Sequence, residues 1–114
     1  MSKQFARARL HHRGRVNFEH INRAALAVLP ALLGRWLPSG QIEGHEYVVL
    51  NPKRTDRRPG SFSINIRTGR WADFATGDKG GDPISLAALL ADISQIEAAR
   101  RLATMLGLEA DDVA

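Results

Sequence analysis

The sequence predicts an α+β fold, a small three-stranded antiparallel sheet flanked by N-terminal and C-terminal helices. Three observations carry that expectation. Apolar residues recur at a spacing of three and four between Phe18 and Leu29. The period changes to two between His45 and Ala75. Two helix-start signals, Asp82-Pro83 and Ser94 with Glu97, follow the last predicted strand. A length of 114 residues suits one domain.

Residues 1–16 carry five Lys/Arg and no acid, and Phe5 and Leu10 are too few to anchor a helix. They read as a mobile basic arm. Asn17 is a cap for a helix whose face is formed by Phe18, Ile21, Ala24, Ala25, Val28 and Leu29. Pro30 would remove a hydrogen bond inside that helix but suits the first turn of another. A break is therefore expected there, with a second short helix from Ala31 to Trp36 ended by Pro38-Ser39-Gly40. His45 to Leu50 reads as a strand, with Trp36 and Tyr47 in the core. Asn51 to Gly60 is a loop framed by Pro52 and Pro59, Ser61 to Ile66 alternates strictly, and Arg70 to Ala75 follows across Thr68-Gly69.

The register of that hairpin decides what each face presents. A plain two-residue loop pairs Ile64 with Asp73. A three-residue loop with Gly69 left-handed, as in a G1 bulge, pairs Ile66 with Arg70, Ile64 with Ala72 and Phe62 with Phe74. The bulge gathers Phe62, Ile64, Ile66, Ala72 and Phe74 on one face, and Ser61, Ser63, Asn65, Trp71 and Asp73 on the other. A one-residue slip spoils both faces, so the bulge is the expected register. It leaves a tryptophan standing on a polar sheet face.

Thr76 to Asp82 is a tight glycine loop. Asp82 caps a helix with Pro83 at its first position and Ile84, Leu86, Ala87, Leu89 and Leu90 on its apolar side. Ser94 and Glu97 form a capping box for a last helix, Gln95 to Leu106, which Gly107 stops. The organisation is thus an arm (1–16), one domain (17–108) and a frayed acidic tail (109–114).

Composition excludes several chemistries. The absence of cysteine rules out disulfides, thiol catalysis, thiolate zinc sites and iron–sulfur clusters. His11, His12, His20 and His45 show no metal-ligand spacing. The apolar stretch Ala24 to Gly34 is too short to span a membrane, and the N-terminus lacks the pattern of a secretory signal. A soluble cytoplasmic protein without metal or cofactor is expected. The net charge of +4 is unevenly placed. Residues 1–60 hold 11 Lys/Arg against 4 Asp/Glu, and residues 61–114 hold 5 against 8. A first half at +7 points to an acidic partner, most often nucleic acid, or else to a solvated basic tail.

From Gly44 to Leu108 the sequence resembles the N-terminal zinc-binding domain of bacterial and phage primases. That family reads Cys-Pro-x-His, Pro-Ser-Phe-Ser, an aromatic strand with Cys-x-x-Cys-Gly, then a Gly-Gly-Asp loop opening a helix. Here Asn51-Pro52 stands at Cys-Pro, and Arg54 falls at the histidine. Pro59-Gly60-Ser61-Phe62-Ser63 repeats the next step with one glycine inserted. Asp73 and Thr76 occupy the paired cysteine positions, and Gly77, Gly80, Gly81, Asp82 and Ile84 continue the pattern. The run from Trp71 to Asp82 is similar to zinc-less relatives at the start of primase–helicases on phages and mobile elements. The resemblance implies a template-recognition module that has lost its zinc. It implies single-stranded DNA or a primer–template as ligand, and a primase, helicase or polymerase as protein partner. The family's catalytic regions follow this point, so no catalytic residue is expected, and the chain reads as a free-standing module or a fragment.

Candidate nucleic-acid contacts are Lys53, Arg54, Arg57, Arg58, Ser63, Asn65, Arg67, Trp71 and Lys79. Clustered cations on a loop can follow a phosphate backbone, and Arg grips phosphate with two donors. The plainer reading of that loop is a solvated hairpin end. Trp71 among Ser63, Asn65 and Arg67 can stack an unpaired base, or can be covered by a helix as part of a second small core. The glycine loop with Lys79 offers backbone N–H groups to an anion, or simply makes a tight turn; it lacks the Lys-Ser/Thr ending of a nucleotide-hydrolysing loop. The alternative from another class is a protein-interaction module or inhibitor acting on a replication or defence protein.

Overall fold

The computed structural model describes residues 16–49 and 61–109. Two helices come first, α1 (Phe18–Ala27) and α2 (Leu29–Trp36). Five strands follow: β1 (Gln41–Glu43), β2 (Glu46–Val49), β3 (Phe62–Asn65), β4 (Trp71–Asp73) and β5 (Lys79–Gly80). Two more helices, α3 (Pro83–Ala91) and α4 (Gln95–Met105), end the fold. The arm before Val16, the loop with Lys53, Arg54, Arg57 and Arg58, and the tail from 110 onward lie outside the described residues.

The helix starts follow from their caps. Asn17 Oδ1 accepts from the His20 N–H at 3.0 Å, Asp82 Oδ1 from Ser85 at 2.8 Å, and Ser94 Oγ from Glu97 at 3.1 Å. Each satisfies one of the N–H groups that a helix leaves unpaired at its start. Val28 closes α1 on the Ala25 carbonyl, and its own carbonyl accepts from Ala31 and Leu32. Pro30 therefore sits in the first turn of α2, where its missing N–H is harmless. One further bond joins distant parts: Asn22 Oδ1 on α1 accepts from the Ile84 N–H at the start of α3, at 2.9 Å.

The sheet corrects the expected three strands to five, in the order β1-β2-β3-β4-β5, all antiparallel. β1 folds onto β2 through a turn in which Gly44 has φ +66°, and β5 adds to the far side of β4. With three and two residues, these edge strands are too short to show a period-two pattern.

The register is corrected as well. Ile64 pairs with Trp71, Ser63 with Ala72 and Phe62 with Asp73. The loop between β3 and β4 is longer than the bulge allowed: the Asn65 N–H donates to the Arg70 carbonyl, leaving four residues, Ile66 to Gly69, between them. Asn65 sets this length, because its side chain accepts from the Arg67 and Thr68 N–H groups at 2.9 and 3.0 Å. Gly69 then bonds back to the Asn65 carbonyl at φ +82°, a conformation that strains other residues. The one-residue shift turns Trp71 and Asp73 inward and leaves Phe74 outside.

Two core clusters result. Ile21, Ala25 and Leu32 meet Ile84, Ala88, Ala98, Ala99, Leu102 and Ala103 where the helices pack together. Leu29, Leu33, Leu37 and Leu86 cover Tyr47, Val49, Phe62, Ile64 and Trp71 on one face of the sheet. Trp36 touches both clusters. Phe62 and Ile64 are fully buried, each contributing about 1.5–3 kcal/mol. The other sheet face, with Glu46, Val48, Ser63, Asn65, Ala72 and Lys79, contributes nothing to either cluster. Among the described residues no helix is long and apolar enough to cross a membrane.

Candidate nucleic-acid interface

Trp71 was expected on the polar face. It lies in the core instead, 6% exposed, edge-on to Phe62 with ring centroids 6.1 Å apart. Its Nε1–H donates to Ser85 Oγ at 2.9 Å, and that hydroxyl donates to the Asp82 carbonyl at 2.9 Å. The start of α3 thus supplies the polar partner that a buried indole needs. Gly80 lies at the same edge: a Cβ there would collide with both Trp71 Nε1 and the Ser85 hydroxyl, so only glycine lets β5 lie against the ring. Held this way, Trp71 presents no open face to a base.

Ser63, Asn65 and Arg67 do come together. On the helix-free face Ser63 Oγ and Asn65 Nδ2 both donate to the Glu46 carboxylate, Asn65 at 3.0 Å. Arg67, exposed in the β3–β4 loop, brings Nη1 to 3.1 Å from His45 Nε2. Lys79 is exposed on β5 opposite Ala72, and so shares the face of Ser63. The sequence offered Trp71 with Ser63, Asn65 and Arg67 as one candidate and the glycine loop with Lys79 as another. The structure shows a polar face carrying Ser63, Asn65 and Lys79, with Arg67 at its hairpin end and Trp71 turned to the opposite side.

The residue that sequence reasoning missed is Phe74, expected in the core and 75% exposed. It opens the turn between β4 and β5. The Asp73 N–H donates to the Asp78 carbonyl at 2.8 Å, and the Asp73 carbonyl accepts from Thr76 and Gly77. Asp73 Oδ1 accepts from the Ala75 N–H at 3.0 Å, and Thr76 Oγ1 bonds both the Asp78 N–H and its carboxylate at 3.1 Å. A signal was available in the sequence, since Asp73-x-x-Thr76-Gly77 repeats the spacing of Asn65-x-x-Thr68-Gly69.

These bonds also test the zinc that the primase resemblance would imply. Of the four ligand positions, Asp73 and Thr76 are described, and both side chains close the turn by hydrogen bonding. A threonine hydroxyl is a poor zinc ligand, and no cysteine is present to replace it. No group of three His, Asp or Glu among the described residues is placed to hold a metal. The residues present do not fit a structural zinc.

No protein-family profile and no curated protein matches this chain. A solved structure does. The crystal structure of the Aquifex aeolicus primase, comprising its zinc-binding and RNA polymerase domains, is similar to this chain at 27% identity with a TM-score of 0.64. The match covers 82% of this chain but 22% of the primase chain, so the likeness is to a small part of that protein.

Proposed function

We propose that this chain is a non-catalytic nucleic-acid-binding module of a primase-like replication system. Its ligand is single-stranded DNA or a primer–template, in the setting of a phage, plasmid or other mobile element. The likeness to a primase over 82% of the chain carries this reading. The uneven charge supports it, with +7 in residues 1–60. So does a sheet face left outside both core clusters, on which Lys79 is exposed and Asn65 half-buried.

In this reading Lys53, Arg54, Arg57 and Arg58 neutralise phosphates, aided by Arg67 and Lys79. Asn65 and the buried Ser63, both bonded to Glu46, lie on the face of Lys79. Binding to labelled single- and double-stranded oligonucleotides at several salt concentrations tests it. Affinity should fall steeply with salt, and replacing Arg54, Arg57 and Arg58 with Ala should flatten the slope by up to about one unit for each phosphate left unneutralised. An unchanged slope would move the phosphate-binding role to Arg7, Arg9, Arg13 and Arg15. Failure of the wild type to bind any oligonucleotide at low salt would end the reading.

One observation favours a protein partner as the second reading. A groove of about 280 Å³ between α2 and the α3–α4 pair is lined by Trp36, Ala87, Leu90, Ile93, Leu102 and Met105. Oligonucleotide titration separates the two.

A further inference from the structure

We infer that Phe74 is the ring on which an unpaired base stacks, the part that the sequence pattern offers to Trp71. The inference rests on the nucleic-acid reading above and names the residue that reading lacks. Phe74 continues β4 by one residue, since its N–H donates to the Ser61 carbonyl at 2.7 Å. Strand alternation then puts it in phase with Ala72 and opposite Ser61, on the helix-free face and away from Phe62, Ile64 and Trp71. Its neighbours on that face, Ala72, Ser61 and Ser63, are all small. The ring stands above them, 75% exposed.

A phenylalanine so displayed forgoes most of the stabilisation that burial would give it, and nothing in the turn requires an aromatic there. Hydrogen bonds hold the residues on both sides of it, so the ring is carried on a preorganised support. Its surroundings suit a nucleotide better than a protein. The largest apolar patch on an ordinary monomer is itself roughly 300–600 Å², and larger patches mark protein-docking sites. Here a single ring stands opposite Ser61 on a face that also carries Ser63 and Lys79. Stacking on a lone aromatic beside cations is the usual way to hold single strands without reading sequence. Among the described residues, a cation on the same face is Lys79, which β5 sets opposite Ala72.

The test is a titration of the full chain with labelled oligothymidine at low salt. Phe74→Ala should weaken binding roughly 5- to 150-fold while the melting temperature stays at the wild-type value. Phe74→Trp in a Trp36→Phe background should keep the affinity, and its emission should be quenched by the oligonucleotide, with the buried Trp71 as internal reference. Wild-type affinity in Phe74→Ala, in a protein that binds the oligonucleotide, overturns the inference and leaves the function standing. Unquenched Phe74→Trp at saturating oligonucleotide overturns it too. A wild type that ignores single strands at low salt defeats both and assigns the ring to a protein partner.

Discussion

Two hairpin turns of the sheet, Asn65–Arg70 and Asp73–Asp78, follow one chemical plan on opposite faces. In each, the first residue's N–H donates to the last residue's carbonyl, at 2.7 and 2.8 Å. Its carbonyl accepts from a left-handed glycine, Gly69 at φ +82° or Gly77 at φ +86°. Its side-chain oxygen accepts from N–H groups inside the loop, and a threonine hydroxyl accepts from the last N–H at 3.2 or 3.1 Å. The strand between the turns has three residues. Because successive residues alternate in face, the second turn begins on the side opposite the first. Asn65 therefore bonds Glu46 on the open face, while Asp73 is fully buried. The next residue is affected in reverse: Ile66 packs against the core and Phe74 is displayed. The same loop conceals its apolar residue in one copy and presents it in the other.

Three sets of variants probe how far the two turns are equivalent. Trp71 lies on the strand both turns share, and Trp71→Ala should destabilise the fold by about 3–5 kcal/mol in denaturant titration. A loss below about 1 kcal/mol would return the side chain to the surface and undo the register that sets the turns on opposite faces. The two glycines should then differ. Either Gly→Ala places a Cβ in the left-handed region at roughly 1–2 kcal/mol. At Gly69 that Cβ would also meet Pro83 Cδ at 2.9 Å, whereas at Gly77 nothing lies within 4 Å. Overpacking adds about 1–3 kcal/mol at Gly69 only. Equal losses would show that the first turn has room to shift away from α3. The smallest difference concerns the capping side chains. Asp73→Ala should cost about 1–3 kcal/mol and Asn65→Ala about 0.5–1.5 kcal/mol, since water can replace a partner only at the exposed loop. The reverse order would mean that the open-face link to Glu46 outweighs the buried turn.

Local chemistry was legible in the sequence, and longer-range choice was not. The caps at Asn17, Asp82 and Ser94 act within three residues, so their spacing alone located three helix starts. Strands β1 and β5 escaped because three or two residues carry no readable period. For β4 the alternation was visible but ambiguous. Hydropathy favours Ala72 and Phe74 inward, and that choice set the expected register. Two facts from elsewhere in the chain reverse it: Ser85 offers Trp71 a hydrogen-bond partner, and Asn65 lengthens the loop to four residues. The candidate site inherited that slip. Ser63 and Asn65 kept their face, Lys79 joined them from the expected glycine loop by way of β5, and the aromatic beside them exchanged identity from Trp71 to Phe74.

The bond from Ile84 to Asn22 has a consequence in time. Its two residues are 62 positions apart, whereas each hairpin turn closes over a handful. At about 5–20 residues per second of synthesis, Asn22 waits roughly 3–12 s before its donor exists. The apolar stripe of α1, with Ile21 and Ala25, waits as long for the α3 and α4 side chains that cover it. The meander can zip locally as it emerges, but the helical cluster closes only after it, when α3 and α4 reach back to α1.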